Sequence, residues 1–125
     1  MKAVQVQGMH HVTIVGSSRQ TAIDFWQGVL GMPFVMEQPN LGKADESHLY
    51  FDPGDGRLLT VFTNESRKDA ARPAPREVGC VEHLAFNVSR ATMSSCRIVC
   101  ANAASSSWSA IGDSWTRSTF RIPTG

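Results

Sequence analysis

Apolar positions along the first half of the chain switch between two periods. Residues 9–15, MHHVTIV, are rich in β-branched side chains and lie between Gly8 and Gly16, which predicts a strand. A period of two places His11, Thr13 and Val15 on one face and His10, Val12 and Ile14 on the other. Ser17 followed by Gln20 reads as a capping box. Apolar residues then recur at helical spacing, at Ala22, Ile23, Trp26, Val29 and Leu30. Gly31 suits the position just past a helix, and Pro33 prevents its continuation. Period two returns at Phe34 to Glu37, at His48 to Asp52 and at Arg57 to Thr63, with Pro39, Asn40, Gly42 and the DPGDG segment as turns. The predicted order is β-α-β-β-β.

Residues 65–78 are polar and contain two prolines, the signature of a linker. Cys80 to Val88 then read as a strand, and the pattern restarts. A shift of 72 residues lays GMHHVTIVGSS over CVEHLAFNVSR, with His11 on His83, Val12 on Leu84, Ile14 on Phe86 and Ser17 on Ser89. A strand with a histidine at the same place, followed each time by a Ser-led helix start, predicts two copies of one module. Module one spans about 8–64 and module two about 79–125.

Composition narrows the function classes. The chain has 125 residues, enough for one ordinary domain, and its 42% hydrophobic content supports a packed core. Twelve Lys and Arg against eleven Asp and Glu leave a net charge of +1 without a basic stripe, so no nucleic-acid partner is expected. The apolar runs are too short to cross a membrane, and the N-terminus lacks the apolar stretch of a signal peptide. Three cysteines, Cys80, Cys96 and Cys100, form no zinc-type pair and suggest a reducing, cytoplasmic setting.

Three pieces of the chain, HHVTIVGSSRQTAIDFWQGVLGMPFV, SHLYFDPGDGRLLTVF and VEHLAFNVS, resemble the vicinal oxygen chelate superfamily. That superfamily includes glyoxalases, extradiol ring-cleaving dioxygenases, and bleomycin and fosfomycin resistance proteins. The resemblance covers roughly residues 8–91 and implies an α+β fold of two tandem β-α-β-β-β modules whose sheets curl into a metal-bearing cup. A divalent ion there needs preorganised nitrogen and oxygen ligands and an open position for substrate. Two imidazoles and one carboxylate, the set associated with non-haem Fe(II), leave room for a small molecule with two adjacent oxygens.

Carried over by position, the resemblance makes His11 and His83 metal ligands. Fe(II) is the expected ion, with Mn, Zn and Ni as alternatives. A glyoxalase-like chain places a carboxylate in the middle of the fourth strand, where this chain has Thr60. The pattern is therefore closer to a dioxygenase. His48 and Tyr50, with Asp52 on the same predicted face, are candidate acid-base groups, and the other reading is a half-exposed strand. Thr60 and Phe62 are expected in the pocket wall, and Phe25 and Trp26 in the core. His10 is expected to point away from His11 as a structural or interface residue, and Glu82 to face away from His83. Cys96 and Cys100 have helical spacing but make no site by themselves.

After Ala91 the chain changes character. Residues 92–125 hold eight Ser, two Trp and two Cys but no Glu or Lys, where an amphipathic charged helix is expected. The third ligand, a carboxylate of the last strand, is absent, because the chain reads IPTG at 122–125. Shifting the codons of Met93 to Gly125 by two bases, with suitable wobble bases, yields a charged helix, a glycine stop, a strand and a DPNG turn. A frameshift near codons 91–93 is the expectation, leaving module two without its last strand. The exposed edge predicts a homodimer. A metal-dependent enzyme acting on a small molecule is the leading reading. The alternatives are a metal-free protein that binds a drug-like or aromatic ligand, and an inactive truncated form.

Overall fold

The computed structural model describes residues 3–67, 77–81, 83–89 and 91–92, together with the backbone of 109–111 and 118–123. The chain divides into two compact units, Met1–Asp69 and Ala70–Gly125.

Unit one realises the β-α-β-β-β order. Strand β1 (His11–Val15) leads to helix α1 (Arg19–Ile23), followed by β2 (Phe34–Pro39), β3 (Ser47–Phe51) and β4 (Leu58–Thr63). Their sheet runs β1-β4-β3-β2, open and curled, with β1 parallel to β4 and the other pairs antiparallel.

The helix begins one residue later than the sequence suggested. Ser18, not Ser17, is the N-cap: its Oγ accepts from the Thr21 backbone N–H at 3.2 Å and meets Thr21 Oγ1 at 2.9 Å. The α-helical part is short because the chain widens into a π-helical segment, Asp24–Val29, in which Leu30 N donates to Phe25 O across five residues. Trp26 sits on this wider turn, buried, with its ring 6.4 Å from that of Phe51. Gly31 closes the element at φ 68°, a left-handed conformation that glycine adopts without penalty.

The core lies between this helical element and one face of the sheet. Ala22, Trp26 and Met32 are buried there, and Leu49, Phe51, Leu59 and Val61 are buried from the strand side. Each large apolar side chain removed from water contributes about 1.5–3 kcal/mol. Gly16 is required by close approach: a Cβ on it would lie 2.7 Å from Val61 Cγ1. Beside it, Arg67 ties the end of β4 to the β2–β3 turn by donating to Gly16 O, Phe62 O and the Glu46 carboxylate. Glu46, itself buried, also accepts from Lys43 and Asn40, each at 2.9 Å. Lys43 is the main cause of a carboxyl pKa below the ordinary value.

Unit two contains strands β5 (His83–Val88), β6 (Ser109–Ile111) and β7 (Ser118–Pro123), in the order β5-β7-β6 and antiparallel throughout. Leu84, Phe86 and Val88 are half-buried while Ala85 and Asn87 are exposed, as alternation predicts. After β5, Ser89 Oγ accepts from Thr92 N at 3.0 Å and meets Thr92 Oγ1 at 2.8 Å, the same cap that Ser18 makes with Thr21. The central part of the predicted linker (68–76), Glu82, Cys96, Cys100 and the remainder of the tail at 93–108, 112–117 and 124–125 lie outside the described residues.

Candidate functional site

Register decides which side chains share a surface. Thr13 pairs with Thr60, and His11 with Leu58. Across the next ladder Thr60 pairs with Tyr50 and Phe62 with His48. On the outer ladder Tyr50 pairs with Met36 and His48 with Gln38. Directly paired residues present their side chains to the same side. His11, Thr13, Thr60, Phe62, His48, Tyr50 and Gln38 therefore lie on one face, opposite the core.

Aromatic and polar groups interlock on this face. The His48 ring sits 4.3 Å from both the Tyr50 and the Phe62 rings, tilted 40° to each. Tyr50 Oη lies 2.9 Å from His48 Nδ1 and accepts from Gln38 Nε2 at 2.5 Å. Thr60 donates to Thr13 Oγ1 at 2.8 Å, which anchors the middle of β4 to β1. His48 Nε2 is buried and has no hydrogen-bond partner among the described residues. Leaving a buried polar group unpaired costs about 1–3 kcal/mol. Desolvation first, and the charge of His11 second, push the His48 pKa below its ordinary value, which favours the neutral ring.

His11 is exposed at the head of β1. Its Nδ1 lies 2.8 Å from Nδ1 of His10, with the two rings edge-on and 5.1 Å apart. His10 does not point away as expected, because it precedes the strand and is not bound by the strand's alternation. A bond in which His11 Nδ1 donates to His10 Nδ1 leaves the Nε2 lone pair of His11 open to a metal. His83 opens β5 in unit two as His11 opens β1 in unit one, and it is half-buried. Among the described residues, no three His, Cys, Asp or Glu side chains gather into a donor group. Thr60 occupies the β4 position where a carboxylate would complete a lyase-type set. Toward a divalent ion the described residues thus offer one imidazole in each unit, His11 and His83, without a carboxylate gathered beside them.

Asp52, expected beside His48 and Tyr50, falls beyond the end of β3. Its backbone N–H donates to Pro33 O and its Oδ1 accepts from Gly54 N at 2.6 Å, a turn-building role. Gln38 is the residue that the sequence reading missed. The only sequence signal was its two-residue spacing from Met36 on an edge strand.

Residues 8–93 match the profile of the Glyoxalase/Bleomycin resistance protein/Dioxygenase superfamily. Over 61 residues the chain is 34% identical to "Putative ring-cleaving dioxygenase MhqO" of Bacillus subtilis (strain 168), an overlap that takes in 49% of this chain and 20% of that protein. The chain thus spans about one fifth of that relative's length. Its fold resembles a glyoxalase family protein from Enterococcus faecalis, with a TM-score of 0.61 and 23% identity over 94% of this chain and 90% of the other. It also resembles the E126Q mutant of the fosfomycin resistance protein FosX from Listeria monocytogenes, solved with Mn(II) and 1S,2S-dihydroxypropylphosphonic acid. That match has a TM-score of 0.58 and 13% identity over 97% and 94% of the two chains. Among the described residues, no helix is long and apolar enough to cross a membrane. On the breadth of the profile match, the chain belongs to the glyoxalase/bleomycin resistance protein/dioxygenase superfamily.

Proposed function

We propose that the His11 face of unit one takes a small molecule bearing two adjacent oxygens, in a dioxygenase-like rather than glyoxalase-like manner. The observation that carries this reading is the register that puts His11, His48, Tyr50, Thr60 and Phe62 on one face. The likeness to a protein named as a ring-cleaving dioxygenase supports it.

In this reading His11 and His83 hold a divalent ion, Fe(II) foremost and Mn, Zn or Ni as alternatives. Such an ion, when bound, stabilises negative charge developing on the ligand's oxygens. Phe62 and the His48 ring offer an apolar wall to a flat ligand. Tyr50 and His48 hold a proton that can be shared with a ligand oxygen. The matching Ser18–Thr21 and Ser89–Thr92 caps support descent of both units from one module. A homodimer belongs to the same reading, supported by the exposure of Val35 and Met36 on the edge strand β2, as does a cytoplasmic setting.

Metal analysis of purified protein supplied with each divalent ion tests the proposal. Stoichiometric metal, lost in both His11→Ala and His83→Ala, is the expected result. Absence of bound metal at saturating supply would leave the second reading, a metal-free protein that binds an aromatic ligand. The lack of a carboxylate in the IPTG segment at 122–125, where the resemblance implies the third ligand, favours that reading.

A further inference from the structure

The hydrogen bonds around Tyr50 fix where protons sit. A phenol has one proton to give and lone pairs to receive. Gln38 Nε2 donates to Tyr50 Oη, which occupies one lone pair there and leaves the phenolic proton free to point at His48 Nδ1, 2.9 Å away. A neutral imidazole that accepts at Nδ1 carries its hydrogen on Nε2. The stacking of Tyr50 and Phe62 against the ring opposes a flip that would exchange the two edges.

We infer that Gln38 is a positioning residue which, through Tyr50, locks His48 in its Nε2–H tautomer and makes it a neutral hydrogen-bond donor to an anionic oxygen of the bound molecule. This deepens the functional reading above and rests on it for the identity of the ligand. A lone pair at Nε2 would serve a base; an N–H there serves an oxyanion such as a phenolate or enolate. The buried Nε2, without a partner among the described residues, is the donor left over for that oxygen. Desolvation of the ring favours the uncharged form that the arrangement needs.

Reversing the polarity at position 38 tests the inference. In Gln38→Glu the carboxylate accepts the hydrogen bond from Tyr50 Oη–H, so Oη becomes the acceptor toward His48 and His48 Nδ1 the donor. Nitrogen NMR of histidine-labelled full-length protein at pH 8 distinguishes the two tautomers. The wild type is expected in the Nε2–H form and Gln38→Glu in the Nδ1–H form. With Tyr50→Phe as background, the same change at 38 no longer moves the tautomer. A wild-type His48 in the Nδ1–H form, or a folded Gln38→Glu protein with its tautomer unchanged, overturns the inference.

Binding of 4-nitrocatechol, followed by its absorbance, reads the donor role. Gln38→Glu is expected to weaken it about tenfold, the worth of a charge-assisted hydrogen bond. The effect should be clearly smaller in the Tyr50→Phe background, where only the added charge acts. Equal losses in both backgrounds refute the donor role. A wild type that binds no 4-nitrocatechol refutes the functional reading instead, and the tautomer still decides the role of Gln38.

Discussion

His48 and Phe62 are direct cross-strand partners on β3 and β4, and their rings lie 4.3 Å apart. This contact shields the imidazole on the side facing β4, while Tyr50 covers another edge. Phe62→Ala should therefore do two things. Stability should fall by about 2 kcal/mol, below the usual cost for a fully buried Phe because Phe62 is half-buried. The His48 pKa should rise toward its ordinary value as water reaches the ring. Urea denaturation and an NMR titration of the histidine check both.

The depressed His48 pKa makes folding pH-dependent with a definite sign. The unfolded ring titrates near 6.5 and the folded one lower. Above 6.5 both states are neutral there and the native state keeps its full stability. As pH falls from 6.5 through the folded value, the unfolded chain binds the proton first, and stability is lost. His11 and Tyr50 are the ionisable groups facing His48 on this surface. Denaturation midpoints at pH 7.5 and 5.5 should differ in the wild type, and the difference should shrink in His48→Gln. Glu37 and Glu46, whose carboxyls are held below 4.5 by Arg19 and Lys43 respectively, act only at lower pH.

Gly16→Ala should cost about 1–3 kcal/mol, the range for overpacking a close contact. The added Cβ would meet Val61 Cγ1 at 2.7 Å, and a β-branched side chain has little rotameric freedom to retreat. The companion change Val61→Ala in the same protein should recover part of that loss relative to the sum of the two single changes, measured as a double-mutant cycle.

Ser18→Ala should destabilise unit one by about 1 kcal/mol through loss of the cap on Thr21 N. Thermal denaturation of Ser18→Ala against the wild type checks the loss.

The strands were legible because period two is strict where one face is buried: Leu49, Phe51, Leu59 and Val61 alternate with His48, Tyr50, Thr60 and Phe62. Alternation also grouped His48 with Tyr50 and Thr60 with Phe62 within their own strands, but that these residues share one face with His11 follows from the register between strands. The π-helical turn at Asp24–Val29 was not legible, because apolar spacing from Ile23 to Leu30 fits an ordinary helix equally well. Nor was the link from Gln38 to Tyr50. It depends on the β2–β3 register, which shifts between Phe34 and Met36. A bulge of that kind changes which residues face the site. The contact of His10 with His11 was not legible either, because strand alternation does not extend to the residue before β1.

The proposed sharing of one divalent ion by His11 and His83 is open to a direct test. The most direct measurement is a titration of full-length protein with Mn(II), followed by its electron paramagnetic resonance signal, in the wild type, His11→Ala and His83→Ala. The account predicts one saturable ion per chain in the wild type, with affinity reduced at least about tenfold in each variant, the scale on which losing a ligand acts. Undiminished binding in either variant, or no saturable binding in the wild type, would contradict it.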